Sequence, residues 1–130
     1  MGSSDEILGN PQVLVVFDWR DGAVEGILGS AERASCWYFK LFAERMEGDG
    51  PDDRIFGLWR IPEAAAAVFL REFVSSGKGG LVWPVAGGLG SAEAQRLVEQ
   101  ILSVEHGVPR LIVRTPDFPE VLGVWDVTAN

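Results

Sequence analysis

The chain has 130 residues, 47% of them hydrophobic, and its 19 acidic and 11 basic side chains give a formal net charge of -8 at pH 7. This length suits one domain. The negative charge opposes binding to phosphate backbones, and no basic run offsets it, since the arginines are spread singly along the sequence. We therefore expect one folded unit that does not bind nucleic acid.

The sequence also bears on location and on cofactors. No window contains the ~18 consecutive apolar residues that a membrane-spanning helix needs, and the start from Met1 to Glu6 is polar and acidic, unlike a secretory signal. The single cysteine, Cys36, excludes an intramolecular disulfide and is typical of a reducing compartment. We predict a cytoplasmic protein without a membrane partner, a metal or a cofactor.

The pair Asp21-Gly22 between two β-rich runs predicts a hairpin. Its first strand opens at Pro11 and has apolar residues on both faces for most of its length, so we predict a central strand covered on both sides. Asp18 shares one of these faces with Leu14 and Val16, and this face becomes polar only at the end of the strand. The return strand is predicted from Ala23 to Ser30.

Two further strands are predicted at Glu32 to Ala43 and at Arg54 to Ile61, with a loop at Met46 to Asp53 between them because that segment is rich in glycine and aspartate. Four consecutive strands with short connections predict an antiparallel meander. In the third strand, the two faces carry Cys36, Tyr38, Lys40 and Phe42 on one side and Trp37, Phe39 and Leu41 on the other.

Two helices are predicted after the meander. Beyond Pro62 the apolar residues recur at intervals of three and four, which predicts a helix that ends at Gly77. Ser91 is a favourable N-cap for a second helix, predicted to end at Gly107 with His106 in its last turn. The residues predicted to face the core are Ala65, Val68, Phe69 and Phe73 in the first helix and Ala94, Leu97, Val98, Ile101 and Leu102 in the second.

The remaining segments carry weaker signals. Leu81 to Ala86 lies between glycine-rich stretches and is either a short strand or an ordered loop packed by Trp83. Two last strands are predicted at Arg110 to Thr115 and at Val121 to Thr128, the second around Trp125, and the prolines between them predict a loop.

The segment Phe17-Asp18-Trp19-Arg20-Asp21-Gly22 with Gly26, followed by an aromatic strand, a helix pair and a last strand holding Trp125, resembles a loosely defined group of small bacterial proteins. These proteins open with a similar Phe-Asp-aromatic-x-Asp-Gly hairpin. The resemblance covers most of the chain in layout, its specific motif is confined to the first turn, and Gly77 to Gly90 has no counterpart. It implies a four-stranded opening sheet with two helices, and no activity carries over.

Catalytic and metal sites usually rely on histidine, and His106 is the one histidine of the chain. It precedes a glycine that ends the predicted helix, where an imidazole interacts favourably with the last carbonyls, so we favour a structural role. Cys36 lies inside an apolar strand, where a free cysteine acts as a small core residue rather than as a nucleophile paired with His106. We expect no catalytic residues, and we favour a protein without catalytic activity over an enzyme.

Carboxylates near the first hairpin are the remaining candidates for a binding role. Asp21 is explained by the turn, whereas Asp18 lies on a mostly apolar face, and a buried carboxylate there needs a partner such as Arg20 or Arg60. A structural hydrogen bond is the simpler interpretation of Asp18. We nevertheless place Asp18, Trp19 and Asp21 among the candidate binding residues.

Glycines and tryptophans supply the other candidates. Gly87 to Ser91 precedes a helix, so its amides are able to hold an anion, although a flexible connector with a helix cap explains it more simply. Trp37, Trp59, Trp83 and Trp125 fit core positions, and an exposed pair among them would mark a contact surface because tryptophan is enriched at interface hot spots. We add Trp37 and Trp83 to the candidate binding residues.

These patterns predict an α+β fold in which a mainly antiparallel sheet, made of a four-strand N-terminal meander plus C-terminal strands, is packed on one face by two helices. Residues 1–10 are predicted to be a flexible leader and residues 11–130 a single domain. We expect a non-catalytic protein-binding module: a small acidic partner protein, such as a toxin-neutralising immunity protein or an accessory subunit, that binds a basic protein.

Two alternatives stay open. One is a small-ligand-binding protein or an enzyme that uses the Asp18/Asp21 hairpin and the Gly87 to Ser91 loop; a deep pocket enclosed by those residues would favour it. The other is homo-oligomerisation through the aromatic strand from Trp37 to Phe42, with no separate partner.

Overall fold

The computed structural model describes residues 12–19, 23–47, 50–74, 81–82, 91–115 and 126–129. Their secondary structure confirms the predicted combination of strands and two helices. In chain order the elements are β1 (Gln12–Trp19), β2 (Ala23–Ser30), β3 (Ser35–Glu47), β4 (Gly50–Arg60), α1 (Glu63–Phe69) continued by a π-helical turn (Leu70–Val74), β5 (Leu81–Val82), α2 (Ala92–Ser103), β6 (Leu111–Thr115) and β7 (Asp126–Ala129).

The strands form a seven-stranded sheet in the order β5-β1-β2-β3-β4-β6-β7. Strands β1 to β4 are an antiparallel meander, β6 and β7 extend it antiparallel, and β5 lies parallel to β1. The prediction of a mainly antiparallel sheet with a four-strand meander and added C-terminal strands is therefore confirmed. Of the segment left open between strand and loop, Leu81–Val82 is a short strand.

The first hairpin pairs β1 with β2 from Gln12↔Gly29 to Trp19↔Ala23, as its sequence predicts; the Asp21-Gly22 turn lies outside the described residues. The register of β1 is irregular between Val13 and Val15 and again between Val16 and Asp18. Such bulges shift the alternation of side chains between the two faces of a strand. As a result, Leu14 and Val15 both contribute to the same side of the core.

The predicted loop from Met46 to Asp53 is wrong. β3 continues to Glu47, β4 begins at Gly50, and the pairing includes Met46↔Pro51 and Glu47↔Gly50. Glycine and aspartate disfavour strands only weakly, and pairing along a long hairpin overrides that preference. The two strands are consequently longer than predicted.

Both helices pack on one face of the sheet, as predicted. Ala66 and Phe69 of α1, Phe73 of the π-helical turn and Val98 of α2 join Ile27 and other sheet residues in one buried cluster. The regular α-helix ends at Phe69, and the wider π-helical turn continues it to Val74; the predicted end at Gly77 lies outside the described residues. None of the helices in the described part of the chain has the length and apolar character needed to cross a membrane.

The opposite face of the sheet carries a second buried cluster that includes Trp37, Phe39, Phe56 and Leu58 and reaches from β1 to β6. Both sides of β1 are therefore apolar over its middle, which confirms that the strand is covered on both sides. The predicted central position is wrong, because β1 is second from the edge of the sheet and, among the described residues, its outer neighbour β5 pairs with only Val15 and Val16. Arg54 precedes Phe56 by two residues in β4 and so lies on the same face of the strand; it is itself buried, with 1% of its surface exposed.

The end of α2 differs from its prediction. The helix stops at Ser103 and Val104 is extended, so His106 lies beyond the helix instead of in its last turn. The chain then passes through Gly107, whose φ is +71°, and the backbone N–H of Arg110 donates to the carbonyl of Leu58 on β4 at 2.8 Å. This hydrogen bond holds the short segment after α2 against β4, on the face of the sheet that carries the helices.

Candidate binding groove

Three aromatic rings meet where the segment after α2 crosses the sheet. Tyr38 on β3 and Trp59 on β4 are cross-strand partners, and their ring centroids are 5.4 Å apart. The imidazole of His106 stacks on Tyr38 with a centroid distance of 4.4 Å and an interplanar angle of 21°, and it lies 5.7 Å from Trp59. The strand register and the position of the segment after α2 together fix this cluster.

Hydrogen bonds hold the segment in place from two sides. A ring nitrogen of His106, Nε2, is 2.9 Å from the carbonyl oxygen of Ile101 in the last turn of α2. The indole N–H of Trp59 donates to the carbonyl of Gly107 at 3.2 Å. The expected contact between the imidazole and the last helix carbonyls is confirmed, although His106 lies beyond the helix.

A carboxylate is fixed at the same place. The hydroxyl of Tyr38 donates a hydrogen bond to the carboxylate of Glu25 on β2. Burial raises the pKa of Tyr38 well above its ordinary value, and the hydrogen bond to Glu25 and that residue's negative charge raise it further. The phenol therefore stays protonated at neutral pH and donates the hydrogen bond that orients Glu25.

Phe42 lies at the outer end of this cluster. Its ring meets Trp59 edge to face, with centroids 5.6 Å apart and planes at 84°. The ring also lies over the backbone of Gly57, where an added Cβ would come within 2.6 Å of the ring carbons. Glycine at position 57 thus lets Phe42 lean across β4 towards Trp59.

These side chains line an open cavity of about 490 Å³, here called the aromatic groove, which is defined by Tyr38, Phe42, Trp59, Val104 and His106. Glu25, Lys40 and Glu105 form its charged rim. A smaller cavity of about 240 Å³ adjoins it beneath α2 and shares Tyr38, Trp59 and His106 with it.

Exposed apolar side chains gather at the groove. Among the described residues, the large hydrophobic side chains with the greatest exposure are Phe42 (50%), Leu102 (41%), Val104 (50%) and Val108 (84%). The first three line the groove, and Val108 belongs to the same segment after α2. Exposed apolar side chains that gather at one place beside charged residues are typical of an interaction site.

The predicted site residue Asp18 lies elsewhere. Its side chain is exposed at the end of β1, so the expectation of a carboxylate on a buried face is wrong. The register shift between Val16 and Asp18 changes which way the end of the strand faces. Asp18 is not among the residues that line the groove or the adjoining cavity.

The other predicted residues divide into two groups. Trp37 is in the core on the face opposite the groove, with 4% of its surface exposed and the guanidinium carbon of Arg60 5.9 Å from its ring centroid, so it offers no contact surface. The side chain of Trp19 and all of Asp21, Trp83 and Gly87 to Gly90 lie outside the described residues. Ser91 acts as the predicted helix cap, because its Oγ accepts a hydrogen bond from the N–H of Ala94 at 3.1 Å.

Cys36 is a core residue, as predicted. Its thiol is buried and lies 3.7 Å from the carbonyl oxygen of Ala66, to which it donates a weak hydrogen bond. Burial raises the pKa of the Cys36 thiol to about 12. A buried thiol that stays protonated is a poor nucleophile.

The groove itself was not predicted, although part of its signal is in the sequence. The alternation along β3 places Tyr38, Lys40 and Phe42 on one face. What the sequence does not reveal is that Trp59 lies opposite Tyr38 and that His106 stacks on Tyr38 and contacts Trp59. Among the described residues, no group of three or more histidine, cysteine, aspartate or glutamate side chains is arranged to hold a metal ion.

Comparisons with protein-family models, with curated proteins and with solved structures give no match for this chain.

Proposed function

We propose that the chain is a non-catalytic protein-binding module whose aromatic groove binds a segment of a partner protein. The observation that carries the proposal is the convergence of Phe42, Leu102 and Val104, all substantially exposed, beside Trp59. Aromatic and aliphatic side chains surrounded by a polar rim are the usual composition of an interface hot spot.

The polar groups of the three clustered rings support binding rather than chemistry. The hydroxyl of Tyr38 is engaged by Glu25, the indole N–H of Trp59 by the Gly107 carbonyl, and Nε2 of His106 by the Ile101 carbonyl. A general acid or base has to reach a proton of the substrate. Here the same groups hold the walls of the groove in position.

The groove is also well suited to binding because strand pairing and hydrogen bonds hold its walls in position. Tyr38 and Trp59 stand on paired central strands, and the segment after α2 is fixed by two hydrogen bonds. A preorganised site loses less conformational entropy on association, which leaves more of the contact energy for affinity.

Affinity purification from the organism that encodes the chain tests the proposal. The baits are the wild type, Val104→Asp, which places a charge in the groove, and Ala64→Asp as a control. Ala64 is exposed in the first turn of α1, where an added carboxylate is compatible with the helix dipole. Captured proteins are identified by mass spectrometry at low and high salt.

A protein captured in stoichiometric amount by the wild type and Ala64→Asp, and reduced about tenfold or more with Val104→Asp, supports the proposal. Equal capture by all baits overturns the assignment of the groove. The absence of any stoichiometric protein with all baits overturns the proposed function.

A second candidate function is the binding of a small apolar molecule in the adjoining cavity beneath α2. Its volume of about 240 Å³ and the apolar side chains of Leu97, Ile101 and Val104 in its wall favour it. A thermal-shift screen of small apolar compounds tests this candidate. Compounds that raise the Tm of the wild type but not of Leu97→Trp, which fills the cavity, support it.

A further inference from the structure

We infer that the partner segment is basic. One of its lysine or arginine side chains binds against the rings of Phe42 and Trp59 and pairs with the carboxylates of Glu25 and Glu105. This inference rests on the proposed function, since it names the chemistry of the segment that the aromatic groove binds. Three features of the groove carry it: its rings, its carboxylates and its charge balance.

The rings provide an attractive surface for a cation. Phe42 and Trp59 are nearly perpendicular, at 84°, so the groove has two aromatic walls of different orientation. Tyr38 is buried and stacked against His106, whereas Phe42 is exposed and Trp59 is partly exposed, so these two rings are the ones that a partner reaches. A protonated amine or a guanidinium is attracted to the face of an aromatic ring, and most strongly to that of tryptophan.

Carboxylates lie beside these rings. Glu25 is half-buried and is oriented by the Tyr38 hydroxyl, which occupies one of the several acceptor positions of an ionised carboxylate. Glu105 is exposed and follows Val104 directly in the segment after α2. The groove therefore keeps carboxylate acceptors for a charged donor from a partner.

The charge balance favours one additional cation. Lys40 is the cross-strand partner of Glu25 and lies on the rim with Glu25 and Glu105. With His106 counted as neutral, as in the net charge of the chain, two carboxylates and one ammonium leave one negative charge, which a single cationic side chain neutralises. A purely apolar segment would desolvate that charge without compensation, and an acidic segment would add to it.

The net charge of -8 acts in the same direction over a longer range. A strongly negative protein accelerates the approach of a basic partner, and salt screens this attraction. Because any acidic protein attracts a basic peptide, the test has to separate the local contribution of the groove from the overall charge.

The test uses three short synthetic peptides that share one pattern of leucines and carry lysine, glutamine or glutamate at the remaining positions. Binding is followed by the indole ¹H–¹⁵N signal of Trp59, which is assigned by its loss in Trp59→Phe. We expect the lysine peptide to shift this signal with a Kd about threefold to tenfold lower than that of the glutamine peptide, and the glutamate peptide to bind most weakly.

Two matched variants separate local from overall charge. Glu105→Gln removes a carboxylate from the rim, whereas Glu32→Gln makes the same change in net charge at an exposed position in the turn between β2 and β3. We expect the lysine peptide to lose about threefold or more in affinity with Glu105→Gln and to bind Glu32→Gln almost as it binds the wild type. Lys40→Met, which removes the competing cation, is expected to bind more tightly.

Each contrary result has a distinct meaning. Equal affinity of the lysine and glutamine peptides for the Trp59 site overturns the inference and leaves the groove as a peptide-binding surface. Equal losses with Glu105→Gln and Glu32→Gln also overturn it, because the attraction is then a property of the whole chain. If no peptide shifts the Trp59 signal at millimolar concentration, the basic-segment inference and the groove assignment both fail.

Discussion

The imidazole of His106 stacks on the ring of Tyr38, with centroids 4.4 Å apart and planes inclined by 21°. This contact joins the segment after α2 to the middle of the sheet, far away in sequence. The hydrogen bond between Nε2 of His106 and the Ile101 carbonyl fixes the same ring from the helix side. His106 therefore connects the helix end, the sheet and the aromatic groove.

Removing this connection tests the structural role of the ring. We expect His106→Ala to lower the free energy of unfolding by about 1 to 2 kcal/mol, because both the stacking and the hydrogen bond are lost. His106→Phe keeps an aromatic ring and loses only the hydrogen bond, so its effect should be about half as large. Urea denaturation measures both variants. Unchanged stability of His106→Ala would contradict this role.

Two phenylalanines should separate stability from binding. Phe69 of α1 is fully buried, so Phe69→Ala is expected to lower the free energy of unfolding by about 3 to 5 kcal/mol. Phe42 is half-exposed, and Phe42→Ala should cost about 1 kcal/mol while it abolishes detectable binding of the partner. Denaturation and calorimetric titration of the same samples measure the two effects. A large loss of stability with Phe42→Ala would mean that its ring is mainly structural.

Two glycines are required for different reasons, and alanine substitutions should reveal both. At Gly26 an added Cβ would clash with the carbonyl oxygen of Val15 in the neighbouring strand β1, and we expect Gly26→Ala to destabilise by about 3 kcal/mol. Gly107 has open space around it but a φ of +71°, and Gly107→Ala should cost about 1 kcal/mol. Comparable costs for the two substitutions in thermal unfolding would contradict the clash at Gly26.

Cys36 should make stability decrease at alkaline pH. Its pKa is about 12 in the folded chain and near the ordinary 9.0 when exposed, so between these values the unfolded chain loses a proton that the folded chain retains. The stabilisation is therefore complete below pH 9 and declines as the pH rises above it. Cys36→Ala should flatten this part of the stability profile. The raised pKa of Tyr38 acts in the same direction, and Tyr38→Phe should remove that contribution.

The local parts of the fold could be predicted because they depend on neighbouring residues. The hairpin signal placed β2 at Ala23–Ser30, and the cap signal at Ser91 located the start of α2. The loop predicted at Met46 to Asp53 failed because strand pairing outweighed the weak preferences of single residues. The predicted burial of Asp18 was also wrong, because it depended on a regular alternation of side chains that a bulge in β1 interrupts.

The groove could not be predicted because its parts come from distant positions. Composition does not show that Tyr38 and Trp59 are cross-strand partners, since that depends on the register between β3 and β4. The arrival of His106 depends on where α2 ends, and α2 ends earlier than its sequence indicates. The exposed surface at Phe42 and Val104 depends on both the register between β3 and β4 and the position at which α2 ends.

Photo-cross-linking in the native host tests most directly whether the aromatic groove is the surface that binds a partner. The photoreactive residue p-benzoylphenylalanine replaces Phe42 in the groove, Asp18 at the first hairpin, or Glu32 as an exposed control. We expect one partner protein to be cross-linked from position 42 and not from positions 18 or 32. A partner cross-linked from position 18 but not from position 42 would contradict it and would favour the hairpin as the binding surface.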